Sequence, residues 1–133
     1  MNKHTQIRHG ILDKLKQTVG ERVVFFDGLP ALIEEDDLPA ITVYLSDAQY
    51  QGEMLDQNDW QAVLHMAVFL PAQATDEELD TWVENRILPA LSDEAALSKT
   101  IDTMVAQGYD YQRDSDATLW SMAELTYRIT YSM

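Results

Sequence analysis

The stretch WQAVLHMAVFL, from Trp60 to Leu70, decides the fold. Its apolar residues fall on odd and even positions alike, which is typical of a central strand that is covered on both faces. Pro71 ends the strand, because proline cannot donate to a sheet ladder. A comparable stretch, AITVYLSDAQY from Ala40 to Tyr50, lies upstream across the polar segment Gln51–Asp59. We therefore predict two long strands joined by a loop.

The segment before these strands predicts a helix and a short strand. Apolar residues recur at helical spacing over residues 3–19, and Gly20 ends this predicted helix. The β-branched and aromatic run Arg22–Phe26 predicts a short strand, which Asp27 and Gly28 turn. The acidic run Glu34–Asp37 is then expected in a loop.

The segment after the two long strands predicts two helices. Thr75 and Glu78 have the spacing of a capping box at the start of the first helix, which Pro89 is expected to stop. The second helix is predicted to run from Ser92, a cap-like residue, to Gly108.

The last part of the chain predicts an antiparallel hairpin with strands Tyr109–Arg113 and Leu119–Tyr131. Apolar and polar residues alternate with period two along the second strand, as expected when one face is exposed. Leu125, Tyr127 and Ile129 are therefore predicted to face the core.

These elements follow the order α-β-β-β-α-α-β-β, without an internal repeat or a linker. The 133 residues suit one domain, spanning 1–133. We predict an α+β fold: a mixed, largely antiparallel sheet of about five strands packed against helices.

The charge of the chain is concentrated in its middle. The net charge is −14, and no Lys or Arg occurs between Val23 and Asn85. Of the 23 acidic residues, 14 lie in that span, while the other 9 are balanced by the 9 Lys and Arg. Such a field repels phosphates, so we expect no sequence-specific nucleic acid partner.

Two further absences narrow the classes of protein that fit. There is no cysteine, so disulfides and thiolate metal sites are excluded. No apolar run approaches the roughly 20 residues that a membrane span needs, so a soluble protein with no membrane partner is expected.

No sequence motif supports catalysis. The patterns of nucleophile elbows, zinc proteases, dinucleotide folds and P-loops do not occur. His65 lies in a predicted strand, where a structural role is the expected one. We therefore predict a protein that is not an enzyme.

Carboxylate clusters leave two interpretations open. Asp76, Glu78 and Asp80 lie at a predicted helix start, where acids complement the helix dipole, but they could also gather a divalent cation. The run Glu34, Glu35, Asp36 and Asp37 is expected to be a solvated loop, with metal binding or an assembly surface as the alternatives.

Other residues are candidates for contacts between proteins. Trp120 and Met122 fall on the polar register of the last strand, so an exposed pair at an interface is predicted. Arg86, Arg113 and Arg128 are the only arginines after the acidic span, and we expect one or more of them to face carboxylates of a neighbouring subunit.

Longer phrases resemble a known family. The sequence contains FFDGLPA, PAITVYLSDAQY, DWQAVLHMAVFLPAQ, ELDTWVENRILP, GYDYQRD and LTYRITYSM, in this order. Together they closely resemble the tail terminators of lambda-type long-tailed phages, also called the minor tail protein U family. The resemblance runs in one register from about Thr5 to Met133, and departures such as Leu29 and the run around Asp56 fall in loops and surface positions.

The resemblance implies an α/β sandwich and a structural role in the virion. A hexameric ring of such proteins stops polymerisation of the finished tail tube and provides the surface for head attachment. The implied partners are other copies of the chain, the tail tube protein, a head-completion or connector protein and, as a further candidate, the tape-measure protein. The implied location is the head-proximal end of the virion tail, after assembly in the host cytoplasm, in an active phage or a prophage.

From the charge pattern we expect the free chain to be monomeric, because the central carboxylates repel those of another copy. No cofactor is required, but Mg²⁺ is expected to promote oligomerisation by binding clustered carboxylates. Two other classes stay open at this point: an acidic DNA mimic that inhibits a nucleic-acid-binding protein, and a carboxylate-metal phosphoesterase.

Overall fold

A computed structural model describes residues 2–20 and 22–133 of the chain. Its strands are β1 (Val24–Asp27), β2 (Ala40–Tyr50), β3 (Asp59–Pro71), β4 (Thr103–Arg113) and β5 (Trp120–Ser132). Among the described residues they form one five-stranded sheet in the order β1-β2-β3-β5-β4. β1 runs parallel to β2, and every other neighbouring pair is antiparallel. The predicted α+β fold with a mixed, largely antiparallel sheet is confirmed.

The helices are α1 (Lys3–Val19), α2 (Asp76–Trp82), α3 (Leu88–Ala90) and α4 (Glu94–Leu97). A π-helical turn, Val83–Ile87, joins α2 to α3, and a short 3₁₀ turn, Glu35–Asp37, precedes β2. α2, the π turn and α3 follow one another without a break from Asp76 to Ala90, so the run ends one residue after Pro89, where the sequence predicts the stop.

The predicted second helix, Ser92–Gly108, is largely wrong. Only α4 is helical, and the carboxylate of Asp93 caps it by accepting the backbone N–H of Ala96 at 3.1 Å. From Thr103 onward the chain is β4, paired with β5. Long-range pairing with β5 outweighs the local preference of this segment for a helix.

The core lies between the sheet and the helices. β3 contributes its even-numbered side chains, including Leu64 and Met66, and β5 contributes Leu125 and Ile129. α1, α2 and the π turn cover them with buried apolar residues: Ile7, Ile11, Leu12, Leu15, Leu79, Val83 and Ile87. The predicted register of the last strand is confirmed, since Leu125 and Ile129 are buried, Tyr127 packs against the same core and Thr126 and Arg128 lie on the other face.

Substituting Leu125 by Ala tests this packing. The side chain is buried under the helices, so we expect Leu125→Ala to lower the free energy of unfolding by about 2–5 kcal/mol, through lost burial and a cavity. Thr126→Ala, on the opposite face, is the matched control and should have a small effect. Urea or thermal unfolding measures both, and a larger loss for Thr126→Ala would show that the register is off by one residue.

Candidate interaction surface

The face of the sheet opposite the helices carries a second apolar cluster at one end. Ile33, Ala40, Ala67, Phe69 and Met122 are buried there, and Phe26, Leu38 and Trp120 pack against them. The segment between β1 and β2 folds over this end of the sheet, as the burial of Ile33 and Leu38 against it shows.

The predicted exposed pair of Trp120 and Met122 is therefore wrong as to exposure. Met122 is only 6% exposed, and Trp120 is half-buried with its ring against Phe69 at a centroid distance of 5.1 Å. Sequence alternation could not show that a distant loop covers this end of the face. The interface role assigned to the pair stays a prediction.

A groove of about 500 Å³ opens beside this cluster. One wall is the loop Leu29–Ile33, and the other is the β4–β5 connection, of which Asp114, Asp116, Ala117 and Leu119 line the groove. Tyr44, Phe69 and Trp120 contribute to its floor. Leu29 and Leu32 are each 66% exposed, so the wall presents apolar side chains to solvent. No Lys or Arg lines the groove among the described residues.

The β4–β5 wall is held by one carboxylate. Asp114 accepts the backbone N–H groups of Asp116, Ala117 and Leu119 at 3.1, 3.2 and 3.0 Å. These three hydrogen bonds, that of Leu119 first, hold the pKa of Asp114 below its usual value, because they favour the ionised form.

A polar network crosses the same face below the groove. His65 Nε2 lies 2.6 Å from Ser46 Oγ, its Nδ1 lies 2.6 Å from Glu124 Oε1, and the Tyr44 hydroxyl donates to Glu124 Oε2 at 3.0 Å. The rings of Tyr44 and His65 are stacked with centroids 4.2 Å apart. Burial, and then the neighbouring Glu124 carboxylate, raise the pKa of Tyr44. Both ring nitrogens of His65 are satisfied, which fits the structural role expected of it.

Ser46, His65 and Glu124 are joined in the order used by serine hydrolases. Hydrolysis also needs a substrate pocket beside the nucleophile. The adjacent groove is lined by Tyr44 and Glu124 but not by Ser46 or His65. The hydrogen bonds of the network join side chains of β2, β3 and β5 across this face of the sheet.

The acidic helix start does not form a cation site. Asp76 binds Arg113 at 2.7 Å, while Asp80 accepts the hydroxyls of Tyr109 and Tyr111 at 2.6 and 2.5 Å. The two hydroxyls lower the pKa of Asp80. Among residues 2–20 and 22–133, no three acidic or histidine side chains are grouped so that they could hold a metal ion. The predicted convergence of Asp76, Glu78 and Asp80 is therefore wrong, because two of them hold α2 against β4.

The four acids of the second cluster form a turn. Glu34 and Asp37 cap each other across it, and the Asp37 carboxylate accepts the Glu34 N–H at 2.9 Å. Glu34, Glu35 and Asp36 are exposed, as expected of a solvated turn. Their role at an interface stays a prediction.

The three candidate arginines differ in their surroundings. Arg113 binds the carbonyls of Ala72 and Ala74 in addition to Asp76, so its bonds lie within the chain. Arg86 is exposed and stacks on Trp82, with its guanidinium carbon 4.1 Å from the ring centroid. Arg128 is exposed on the helix-free face and has no hydrogen bond or ion pair with any described residue.

Sequence reasoning missed the exposed apolar loops. Leu29 and Leu32 line the groove, and Met54 and Leu55, in the β2–β3 loop, are 64% and fully exposed. The available signal was large apolar residues inside otherwise polar loops. No described helix is long and apolar enough to cross a membrane.

The fold defines a class: a small α+β protein with one mixed, five-stranded sheet, whose helix-free face carries an apolar groove. The family model for phage minor tail protein U matches residues 2–131.

Two relatives are similar over nearly their whole length. The tail tube terminator protein of Escherichia phage lambda is 58% identical over 132 residues, which is 98% of this chain and 99% of that protein. The tail tube terminator protein of Escherichia phage N15 is 54% identical over 131 residues, with the same shares covered. The chain belongs to the phage minor tail protein U family.

The Asp114 turn predicts a dependence of stability on acid pH. Since the folded-state pKa of Asp114 is lowered, its contribution is complete above the unfolded-state pKa of about 3.9 and is lost as the pH falls through the folded-state value. We expect Asp114→Asn to lower the melting temperature at pH 7 and to have less effect below about pH 4. Thermal unfolding between pH 3 and pH 7 measures this.

Asp116→Asn is the matched control, because it removes one charge from the same turn without removing these acceptors. A loss of stability at pH 7 that is equal for the two variants would contradict the role of Asp114.

Proposed function

We propose that this chain is a structural tail terminator: it forms a hexameric ring on the finished tail tube, stops tube polymerisation and provides the surface for head attachment. The observation that carries the proposal is the full-length identity of 54–58% to two tail tube terminator proteins. The role is non-enzymatic, and the place of action is the head-proximal end of the virion tail after assembly in the host cytoplasm.

The structure supports this role through its surfaces. A ring needs heterologous contacts, in which two different patches of each subunit meet. The groove and the exposed Arg128 supply such patches on the helix-free face. The partners that we propose are further copies of the chain, the tail tube protein, a head-completion or connector protein and the tape-measure protein.

No observation favours either of the two alternative functions, the carboxylate-metal phosphoesterase and the acidic DNA mimic. A carboxylate-metal phosphoesterase requires convergent carboxylates, whereas Asp76 and Asp80 are bound to Arg113 and to two tyrosines. A DNA mimic needs acids displayed along one surface, whereas several here are engaged within the chain, such as Asp27 with Arg8 and Asp93 with Lys14.

Complementation of tails that lack a terminator tests the function. Adding the protein should yield tails of uniform length that join heads, as imaged by electron microscopy. Tails of irregular length that fail to join heads would contradict the proposal.

Arg128→Glu refines that test, because Arg128 is the candidate arginine with no partner among the described residues. If it binds a neighbour's carboxylate, reversal should remove a charge-assisted hydrogen bond of about 1.5–3 kcal/mol at every contact and block termination. Lys99→Glu, an exposed lysine beside α4, is the matched control and should terminate tails normally. Normal termination by Arg128→Glu would remove this arginine from the interface.

The expected effect of Mg²⁺ also stays a prediction. At physiological salt the Debye length is about 8 Å, so repulsion between carboxylates at a subunit contact is only partly screened. Millimolar Mg²⁺ should therefore drive a ring-sized species in sedimentation, beyond the effect of NaCl at the same ionic strength. Equal behaviour in the two salts would reduce the effect to general screening.

A further inference from the structure

We propose that the β2–β3 loop of one subunit docks in the groove of the next, with Met54 and Leu55 entering between the loop Leu29–Ile33 and the β4–β5 connection. The proposal rests on the proposed function, since it names the contact between neighbouring copies in the ring. The proposal follows from two features of each subunit: an apolar loop that projects from one end of the sheet, and an apolar groove at the other end.

The projection is the loop Gln51–Asn58. Leu55 is fully exposed and Met54 is 64% exposed. Isolated exposed apolar residues need no explanation, but two adjacent ones at the tip of an otherwise polar loop form a patch. Removing the apolar surface of Met54 and Leu55 from water would contribute favourable free energy to docking.

The loop is braced from inside. The Tyr50 hydroxyl lies 2.6 Å from the carbonyl oxygen of Met54 and 2.9 Å from that of Gln57. The Gln57 side chain accepts the backbone N–H groups of Glu53 and Met54. The tip is therefore held in one shape, and a preorganised loop loses less conformational freedom on docking.

Gly52 belongs to the same brace. A Cβ atom there would collide with the Tyr50 ring and hydroxyl and with Gln57. The conformation in which Tyr50 and Gln57 brace the loop therefore requires glycine at position 52.

The groove matches the projection in chemistry and size. Its volume is about 500 Å³, and Leu29, Leu32, Phe69 and Trp120 line it with apolar surface. The side chains of Met54 and Leu55 together fit a space of this size and apolar character. Leu29 and Leu32, each 66% exposed, would be covered by the same contact.

The two features lie at opposite ends of the sheet. β2 begins at Ala40, beside the groove, and ends at Tyr50, where the projecting loop begins. A patch and a pocket at different places on one subunit make a head-to-tail contact, which generates a ring when the rotation between subunits closes. A reciprocal two-fold dimer would also fill both grooves but could not grow further, so the size of the cross-linked species distinguishes the two arrangements.

Charges oppose this contact. Glu53 and Asp56 flank the projection, while Asp114, Asp116 and Glu124 line the groove. Like charges brought together weaken the docking, so the contact is transient in the free protein and strengthens as salt screens the repulsion. This agrees with a chain that is monomeric until other contacts at the tube end add to the docking.

Disulfide trapping tests the contact, because the chain has no cysteine of its own. Leu32→Cys and Leu55→Cys proteins are mixed at high concentration and oxidised mildly. We expect linked dimers in the mixture at roughly tenfold or more the yield of either protein alone, since a docked pair holds the thiols at a high effective concentration. Raising NaCl should increase the yield.

The control mixture pairs Leu55→Cys with Val105→Cys, whose side chain in β4 is similarly exposed at 61%. A yield in the Leu32 mixture no higher than in this control would overturn the proposal. So would a Leu55→Cys protein that links chiefly to itself, because that would indicate a symmetric contact. A chain carrying both Leu32→Cys and Leu55→Cys should form a ladder of linked oligomers.

This test is independent of the tail assay. Normal tail termination without the Leu32–Leu55 cross-link would overturn the docking contact and leave the proposed function intact. A chain carrying Leu32→Cys and Met54→Cys should also form the ladder, and adding Leu55→Asp to it should abolish the ladder. An unchanged yield after Leu55→Asp would overturn the proposal.

Discussion

Strand β3 is the constraint on which the rest of the structure depends. It pairs with β2 along one edge and with β5 along the other, and its side chains are buried on both faces. Leu64 and Met66 point to the helices, while Ala67 and Phe69 support the groove on the opposite face. A slip of one residue would exchange the two faces, so the packing of the helices and the shape of the groove are fixed together.

The sequence correctly predicted the strands whose apolar periodicity is visible within their own residues. The apolar runs around Val43 and Leu64 and the alternation around Leu125 predict strands that the structure contains, because each carries its own periodicity. The segment from Thr103 to Gly108 has helix-forming residues but lies against β5, and only that distant partner makes it a strand. The residues of this segment alone do not show that β5 will lie beside them as a pairing partner.

The same limit applies to the candidate surface. Acids at the start of α2 are visible in the sequence, but their partners Tyr109, Tyr111 and Arg113 come from a strand far along the chain. When these partners are not known, Asp76 and Asp80 resemble a cation site. In the structure, the two carboxylates bind the partners and so hold the edge strand β4 against α2. The groove likewise exists only where two loops that are distant in sequence meet over β3.

The register shift in β4 has a consequence for aggregation. β4 is a long edge strand, and its pairing with β5 shifts register between Ala106 and Gly108. An open, regular edge invites pairing with the edge of another molecule and growth into fibrils, whereas a bulge and charged residues such as Asp110 and Arg113 interrupt such a template. Edge-to-edge stacking of copies along β4 is therefore disfavoured, which favours association through side-chain surfaces that can be specific.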